Sequence, residues 1–346
     1  MFETKLIVKN YFIRKKLRKN TERVSSQVSE TKNLKPILAT ITKIIFLCLL
    51  GCIVLLPFFM MLSISFMPDN EVEGLKKTFH LLPSFGPGQS YFNEGSSTYE
   101  HGINSDVPWA DVVANTYKKA FSSGYGTAIL FTSLNVVISV ILKVIIVTLM
   151  GYAFSLRNWR GKNIIFSSAL ALLVLPEVAL LYGQKIVITQ LGITATYVGF
   201  LFAVALPFVA SIFNGLMYKN AFESIPGRIK EVSLIDGAAG WKYLFKVAIP
   251  MVVPTTLTVV ILTALASWNA YLWPLSIKPD SIKVEVISVW LFKAGLSDNS
   301  SDQPLVYYNV KMAASLIAIF PMMLVYFIFR KYIMRAIGRQ GSTIKG

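Results

Sequence analysis

The sequence predicts an all-α membrane protein with six transmembrane helices and with both termini in the cytoplasm. Three observations predict this fold class: the composition, six long apolar segments, and an uneven distribution of Lys and Arg. Of the 346 residues, 54% are hydrophobic and 15% are charged, and the mean hydropathy is +0.57. A soluble domain of this length is normally less apolar and more charged, so the composition predicts a membrane location.

Six apolar segments are each close to the roughly 20 residues that a helix needs to cross a bilayer. Several contain Pro, which membrane helices tolerate because neighbouring helices satisfy the freed carbonyls. The first segment starts too far from the N-terminus, and is too long, to be a cleaved signal peptide. The segments are 37–66, 126–156, 163–183, 197–218, 249–273 and 309–330.

The Lys and Arg residues assign the two sides of the membrane. Segments on the side of the termini hold 24 of them, whereas segments on the opposite side hold 8. Loops with the excess of Lys and Arg face the cytoplasm, so both termini are predicted to be cytoplasmic. The formal net charge of +16 mostly reflects this bias. Nucleic acid is therefore not an expected partner.

These assignments divide the chain into five regions. A basic cytoplasmic arm (1–36) precedes the first span (37–66), and an extracytoplasmic loop follows at 67–124. Spans two to six form a core at 125–331, and a cytoplasmic tail occupies 332–346. The arm is expected either to lie on the anionic lipid of the inner leaflet or to be a solvated segment. The outer loop is expected to be a docking surface, because loops of this length are usually functional or flexible.

The chain shows no pattern of an enzyme or of a metal site. Cys48 and Cys52 lie four residues apart in an apolar run and are predicted to be buried small apolar residues. Both histidines fall in the outer loop, and no span carries clustered carboxylates. A membrane enzyme would need acid–base or metal-binding groups in its spans, and this chain shows no such pattern. The phosphate-binding pattern G-x-x-x-x-G-K-[ST] is also absent, so we expect this chain to bind neither metal nor nucleotide.

A charged segment interrupts the apolar pattern between the fourth and fifth spans. Residues 219–248 are cytoplasmic by the charge count, and EVSLIDGAAGWKYLFKVAIP occupies 231–250. Two short helices are expected, separated at IDGAAG (235–240), because Gly adopts the backbone angles of a sharp turn. Such an element can fit a groove on a partner and pass rigid-body motion to the attached spans. A plain amphipathic connector is the alternative.

The residues of this segment resemble the EAA loop of ABC importer permeases. That pattern is Glu-Ala-Ala, a Gly after three further residues, nine more residues and then Ile-x-Leu-Pro. The Asp-Gly-Ala of the carbohydrate subclass is also present. The matching residues are Glu231-Val232-Ser233, Asp236-Gly237-Ala238 and Val247-x-Ile249-Pro250. Val232 and Ser233 replace the two Ala residues, so the fit to a partner groove is expected to differ.

Other stretches are similar to the same subclass, which includes the second membrane subunit of the maltose and glycerol-phosphate importers. The resemblance covers roughly 125–346 in consistent order, together with the first span. Residues 1–35 and most of 67–124 are not covered. The matching stretches are GYAFSLRNWRGKN (151–163), QLGITATYVGFL (190–201), WNAYLWPLSI (268–277) and GRQGSTIKG (338–346).

The resemblance implies a type I ABC importer permease fold in the cell membrane and a transport subunit that is not itself an enzyme. It implies an ATPase dimer that uses ATP and Mg²⁺, a second permease subunit, and an extracytoplasmic solute-binding protein or lipoprotein. The solute is expected to be a sugar or a sugar-like molecule: an oligosaccharide, a polyol or glycerol 3-phosphate. In this family the two short helices are coupling helices seated in an ATPase cleft. The residues expected at this contact are Glu231, Val232, Ser233, Asp236, Gly237, Ala238 and Pro250.

Polar residues within or beside the spans are the candidates for the substrate pathway. Lys143 and Glu177 lie at equal depths, roughly 20 Å from the inner surface at 1.5 Å per residue. We therefore expect them to pair, either structurally or along the pathway, because intramembrane charges are paired and functional. The remaining candidates are Asn135, Trp268, Asn269 and Tyr271. The last three also fit an interfacial aromatic belt.

Two further classes of function are weighed against the importer permease. A self-contained secondary transporter or channel would leave the charged segment unexplained, and no internal repeat typical of such transporters is evident. A structural subunit or receptor would leave the ordered family matches unexplained.

Overall fold

The computed structural model describes residues 10–11, 13–15, 34–90, 107–122, 124–156, 159–296 and 306–342, which are mostly helical. A 3₁₀ turn occupies Ile193–Ala195, and a π-helical turn occupies Leu244–Ala248. The α-helices are α1 (Leu34–Ser65), α2 (Asp69–Gly74), α3 (Trp109–Ser122), α4 (Tyr125–Ser155), α5 (Lys162–Leu172), α6 (Glu177–Gln190), α7 (Tyr197–Val209), α8 (Ile212–Glu223), α9 (Gly227–Ile235), α10 (Gly240–Tyr243), α11 (Ile249–Met251), α12 (Val253–Trp268), α13 (Leu272–Ile277), α14 (Ile287–Lys293) and α15 (Tyr308–Ser342).

The chain divides into two units, Met1–Phe59 and Met60–Gly346. The first unit holds most of α1, whose side chains from residue 40 to residue 59 are almost all exposed. Cys48 and Cys52 are exposed among them, so the prediction that they are buried was wrong. Their run is apolar because the outer surface of a membrane helix is as apolar as a protein core. Most of the basic arm and residues 343–346 of the tail lie outside the described residues.

The described residues contain fewer uninterrupted spans than the sequence predicts. Three helices are long and apolar enough to cross a membrane: Thr40–Ser65, Tyr125–Ser155 and Tyr308–Lys331. Two bent pairs raise the number to five, with bends of 55° between α7 and α8 and of 73° at Val252, before α12. The expected third span, 163–183, is divided between α5 and α6. Six spans and cytoplasmic termini therefore stay predictions.

Helix α4 lies at the centre of the second unit and packs against α7, α8 and α12. Its contact with α8 is very close because it is made by glycines. A Cβ added to Gly151 would lie 2.4 Å from the Tyr218 Cβ, and one added to Gly215 would lie 2.0 Å from the Met150 Cε. Small residues at such crossings allow the backbones of membrane helices to approach closely.

A seam of buried polar side chains joins α4 to its neighbours. Asn135 Nδ2 donates to the Leu201 carbonyl of α7 at 2.9 Å, and Asn135 Oδ1 accepts from Ser267 Oγ of α12 at 3.0 Å. Thr132 Oγ1 accepts from the Ile287 N–H at the start of α14 at 2.8 Å. Hydrogen bonds between helices replace those that water cannot supply in the membrane, so the seam fixes the register of these helices.

A tryptophan from α13 completes the backbone hydrogen bonding of α7. Pro207 has no N–H, so the carbonyl of Ala203, four residues earlier, has no helical donor. Trp273 Nε1 donates to this carbonyl at 3.0 Å. This contact ties α13 to α7 at the position where the helix ladder is interrupted.

We predict that Gly151→Ala destabilises the protein by about 1–3 kcal/mol, because the added methyl group forces α4 and α8 apart. Gly126→Ala is the matched control, since Gly126 lies in the same helix and has no atom within 4 Å of an added Cβ. Thermal unfolding of the two variants in detergent measures the difference. Equal unfolding midpoints would contradict the close crossing.

Candidate functional site

The 219–248 loop is anchored at both ends in one hydrophobic cluster. Ile225 precedes α9, while Leu244 and Ala248 lie in the π-helical turn that leads to α12. The cluster consists of Val147, Tyr218, Phe222, Ile225, Leu244, Ala248, Val252 and Val259. These residues belong to α4, α8, α12 and the loop itself. A close-packed interior transmits displacement, so a force on the loop reaches three helices of the membrane core.

The first short helix of the loop ends in a Schellman motif. In this motif a residue with positive φ follows the helix, and two backbone N–H groups donate to carbonyls of the last helical turn. Gly237 is that residue, with φ +68°. The Gly237 N–H donates to the Leu234 carbonyl at 3.1 Å, and the Ala238 N–H donates to the Ser233 carbonyl at 2.8 Å. The break between the two short helices is therefore where the sequence predicts it.

The buried side of this turn accepts only small side chains. Ser233 is 6% exposed and Ala238 is 8% exposed. The Ser233 hydroxyl donates to the Lys230 carbonyl at 2.8 Å, so its polar atom is satisfied without a partner molecule. Val232 projects outward and is exposed. Both departures from the Glu-Ala-Ala pattern are thus accommodated within the loop.

The second half of the loop begins at another glycine of positive φ, Gly240 at +57°. Lys242 Nζ donates to the Gly237 carbonyl at 3.2 Å and so connects this half to the turn. The Ile249 N–H donates to the Leu244 carbonyl, five residues back, which forms the π-helical turn. Pro250 follows, is exposed, and has no N–H to continue the regular ladder.

The outward side of the loop is apolar and is flanked by acidic groups. We call its five large exposed side chains, Val232, Leu234, Ile235, Trp241 and Phe245, the loop face. Ile235 is 85% exposed, and Trp241 is 67% exposed and stacks on Phe245 with ring centroids 6.0 Å apart. Glu231 and Asp236 are exposed, and no described residue bonds their carboxylates. Within the loop face, Val232, Leu234 and Ile235 lie in α9, outside the candidate spans, where exposed apolar groups mark an interaction surface.

Two of the predicted pathway residues lie together in an open cleft on the second unit. Trp268 and Asn269 line a cleft of about 200 Å³ between α12, α14 and α15. Asn269 Nδ2 donates to the Leu265 carbonyl at 2.9 Å. Ser288 also lines the cleft, and sequence reasoning missed it because residues 273–306 were treated as a loop. Its position within an outer helical segment gave no local signal.

The other pathway candidates lie elsewhere. Tyr271 is partly buried against Phe292, with ring centroids 5.4 Å apart. Asn135 is buried in the polar seam, where α7 and α12 supply its hydrogen-bond partners. Lys143 is buried on α4, whereas the side chain of Glu177, at the start of α6, lies outside the described residues. The predicted Lys143–Glu177 pair therefore stays a prediction.

Metal ligands are not grouped in the part of the chain that the structure describes. No cluster of three or more His, Cys, Asp or Glu side chains with the geometry of a metal site occurs there.

The fold is that of an ABC importer permease. It matches a bacterial ABC transporter involved in the import of the acidic polysaccharide alginate, with a TM-score of 0.62. The match covers 88% of this chain and 99% of that chain at 20% sequence identity. The chain belongs to the family of binding-protein-dependent transport system inner membrane components, whose family model matches residues 144–339.

Curated relatives include permeases of sugar ABC transporters. A probable ABC transporter permease of Mycoplasma pneumoniae, the MG189 homolog, is 36% identical over the full length of both chains. The diacetylchitobiose uptake system permease NgcG of Streptomyces coelicolor is 31% identical over 58% of this chain and 65% of its own. These likenesses support the importer permease that the EAA-like pattern predicts.

We predict that Gly237→Ala destabilises the turn by about 1–2 kcal/mol, because a side chain is disfavoured at positive φ. The space around Gly237 is open, so the effect comes from the backbone alone. Hydrogen exchange of the Ala238 amide should accelerate about tenfold. Gly227→Ala is the control, since Gly227 has equally open surroundings but no positive φ. Unchanged exchange in Gly237→Ala would contradict the Schellman assignment.

Proposed function

We propose that this chain is the permease subunit of an ATP-driven importer and forms half of the pathway for a sugar or sugar-like solute. In this proposal the chain crosses the cell membrane six times, with both termini in the cytoplasm. The single observation that carries the proposal is the loop face, which is exposed outward while the opposite side of the loop is anchored in the membrane core.

The loop face is the proposed contact with a cytoplasmic ATPase. A partner groove that accepts Ile235 and Trp241 would be apolar at its centre, because such side chains gain free energy when they leave water. Basic or polar groups at the rim would pair with Glu231 and Asp236. ATP and Mg²⁺ would bind to the ATPase dimer, and this chain would bind neither.

The shared hydrophobic cluster supplies the route by which ATPase closure would reach the pathway. A displacement of the loop moves Ile225 at one end and Leu244 at the other. These residues pack with α4, α8 and α12, so the three helices would move as one body. Such rigid-body motion alternates access to a site between two permease subunits. The Trp268–Asn269 cleft and the Lys143–Glu177 pair are the proposed pathway groups of this subunit.

The proposed solute class rests on the relatives. Permeases similar to this chain are named for the uptake of diacetylchitobiose and of sn-glycerol 3-phosphate. Trp268 and Asn269 offer an aromatic surface and an amide, which suit the apolar faces and the hydroxyls of a sugar. A solute-binding protein outside the membrane would deliver the solute, and a second permease would complete the pathway.

We predict that Trp241→Ala weakens the binding of the ATPase at least tenfold, because a buried Trp is a typical interface hot spot. Trp159→Ala is the matched control. Trp159 is also partly exposed and lies in a turn on the same predicted side, but it is not part of the loop face. Co-purification in detergent, followed by titration of the ATPase on the immobilised permease, measures the two affinities.

ATP-driven uptake in reconstituted vesicles is the second measurement for these variants. Trp241→Ala should reduce uptake in proportion to ATPase binding, while Trp159→Ala retains both. Uptake that persists without any bound ATPase would overturn the proposal in favour of a self-contained transporter.

We predict that a sugar-like solute stimulates the ATPase of the complete transporter. The complex, with its solute-binding protein, is reconstituted and tested with neutral oligosaccharides, polyols and glycerol 3-phosphate. One of these groups should raise ATP hydrolysis several-fold, because the loaded binding protein promotes the conformational change. Stimulation by amino acids or peptides alone would contradict the proposed solute class.

A further inference from the structure

A cap of short helices and loops lies against the C-terminal end of α1 and the start of α15 in the second unit. We call it the outer cap; it consists of residues 60–90 and 107–122. Asn309 Nδ2, in the first turn of α15, donates to Asp69 Oδ1 at 2.7 Å. Trp109 Nε1 donates to the Phe66 carbonyl at 2.8 Å. The cap is therefore held at the level of the C-terminal end of α1 and the N-terminal end of α15.

One loop of the cap, residues 78–88, is fixed at the same level. Ser63 Oγ, two residues before the end of α1, donates to the Leu81 carbonyl. The Glu71 carboxylate accepts from the Ser84 N–H at 2.9 Å and from Ser84 Oγ at 2.8 Å, and His80 Nε2 lies 2.7 Å from it. The loop thus has a defined shape and a defined depth.

The 78–88 loop directs large apolar side chains outward. Phe79 is 67% exposed, Phe85 is 61% exposed, and Leu82 is similarly exposed. Phe85 adopts φ +53°, a conformation disfavoured for residues with a side chain. Its ring packs edge-on against the ring of Trp109, with the ring centroids 5.1 Å apart. The ring therefore contacts the cap on one edge and is otherwise exposed.

We propose that the 78–88 loop is a lipid anchor, whose Phe79, Leu82 and Phe85 side chains enter the interfacial region of the outer leaflet. Phe and Leu are typical of the apolar face of segments that lie in this region, and an apolar surface held there is buried by lipid without any partner protein. Lys76 and Lys77 are exposed immediately before the loop, where they meet anionic headgroups. The proposal goes beyond solute import and does not require the ATPase.

The depth of the loop favours lipid over a soluble partner. The Leu81 carbonyl accepts a hydrogen bond from Ser63, in the last turn of a helix whose apolar span, Thr40–Ser65, is long enough to cross a membrane. We therefore place the loop close to the level at which this span leaves the hydrocarbon. A docking surface for a soluble protein would be expected to stand clear of the headgroups. It would also leave the two phenylalanines in water whenever that protein is absent, which costs free energy in proportion to their apolar area.

Spin labelling of the complete transporter tests the proposal. Single substitutions Phe79→Cys and Leu82→Cys are made in a chain that carries Cys48→Ala and Cys52→Ala. Glu73→Cys, exposed on α2 of the same cap, is the matched control. Each labelled complex is reconstituted in vesicles of phosphatidylcholine and phosphatidylglycerol, and a thermal unfolding midpoint equal to that of the unlabelled complex verifies its fold. Collisions with oxygen, which concentrates in lipid, are compared with those of a water-soluble nickel chelate.

We expect the oxygen-to-nickel collision ratio at residues 79 and 82 to exceed that at residue 73 by about fivefold, because the loop lies in lipid. Ratios equal to the control would overturn the proposal. It would also be overturned if the labels became shielded only after the solute-binding protein was added, since the occupant would then be that protein. Loss of ATPase coupling leaves these ratios unchanged, so the test is independent of the proposed function.

Discussion

Every backbone polar group in hydrocarbon needs a partner from the protein, and the rest of the structure depends on this constraint. A helix satisfies it alone until Pro or a bend interrupts the ladder. At Pro207 the freed carbonyl of Ala203 is satisfied by the indole of Trp273, which lies 70 residues away. At the bend between α7 and α8, the Ser211 hydroxyl accepts the Asn214 N–H. The interrupted ladder of α7 and the bend before α8 are thus each accompanied by a side chain that supplies the missing hydrogen bond.

The need to satisfy backbone polar groups also shapes the loop between α8 and α12. In the Schellman turn two backbone N–H groups donate to carbonyls of α9, and the Ser233 hydroxyl donates to a third carbonyl of the same helix. The turn thus satisfies these polar groups within the loop, while the apolar side chains of the loop face stay exposed. The glycine at position 237 and the small residues at 233 and 238 of the EAA-like pattern are thus requirements of backbone geometry and burial.

Sequence reasoning recovered the helical class, the long spans predicted at 126–156 and 309–330, and a helix break within 235–240. Each of these has a local signal: a sustained apolar window or a pair of glycines. The division of the third span near Pro176 was missed, because hydropathy averaged over a window does not register a bend. The partners of Asn135 and Trp273, and the place of Ser288 in the cleft, were also missed. Such contacts join residues far apart in the chain, so no local sequence pattern predicts them.

The glycine crossing makes α4 and α8 one stiff unit. An added Cβ at Gly151 would clash with Tyr218 and with the Gly215 carbonyl, and the Met150 methyl group lies against Gly215, so neither helix has room to slide past the other. The crossing lies within a helix of 12 residues, and α8 extends on both sides of it. At roughly 1.5 Å per residue, each of these arms is several ångströms long. A displacement of α8 at its loop end is therefore carried across to α4 at the crossing and is not absorbed by rearranged side chains.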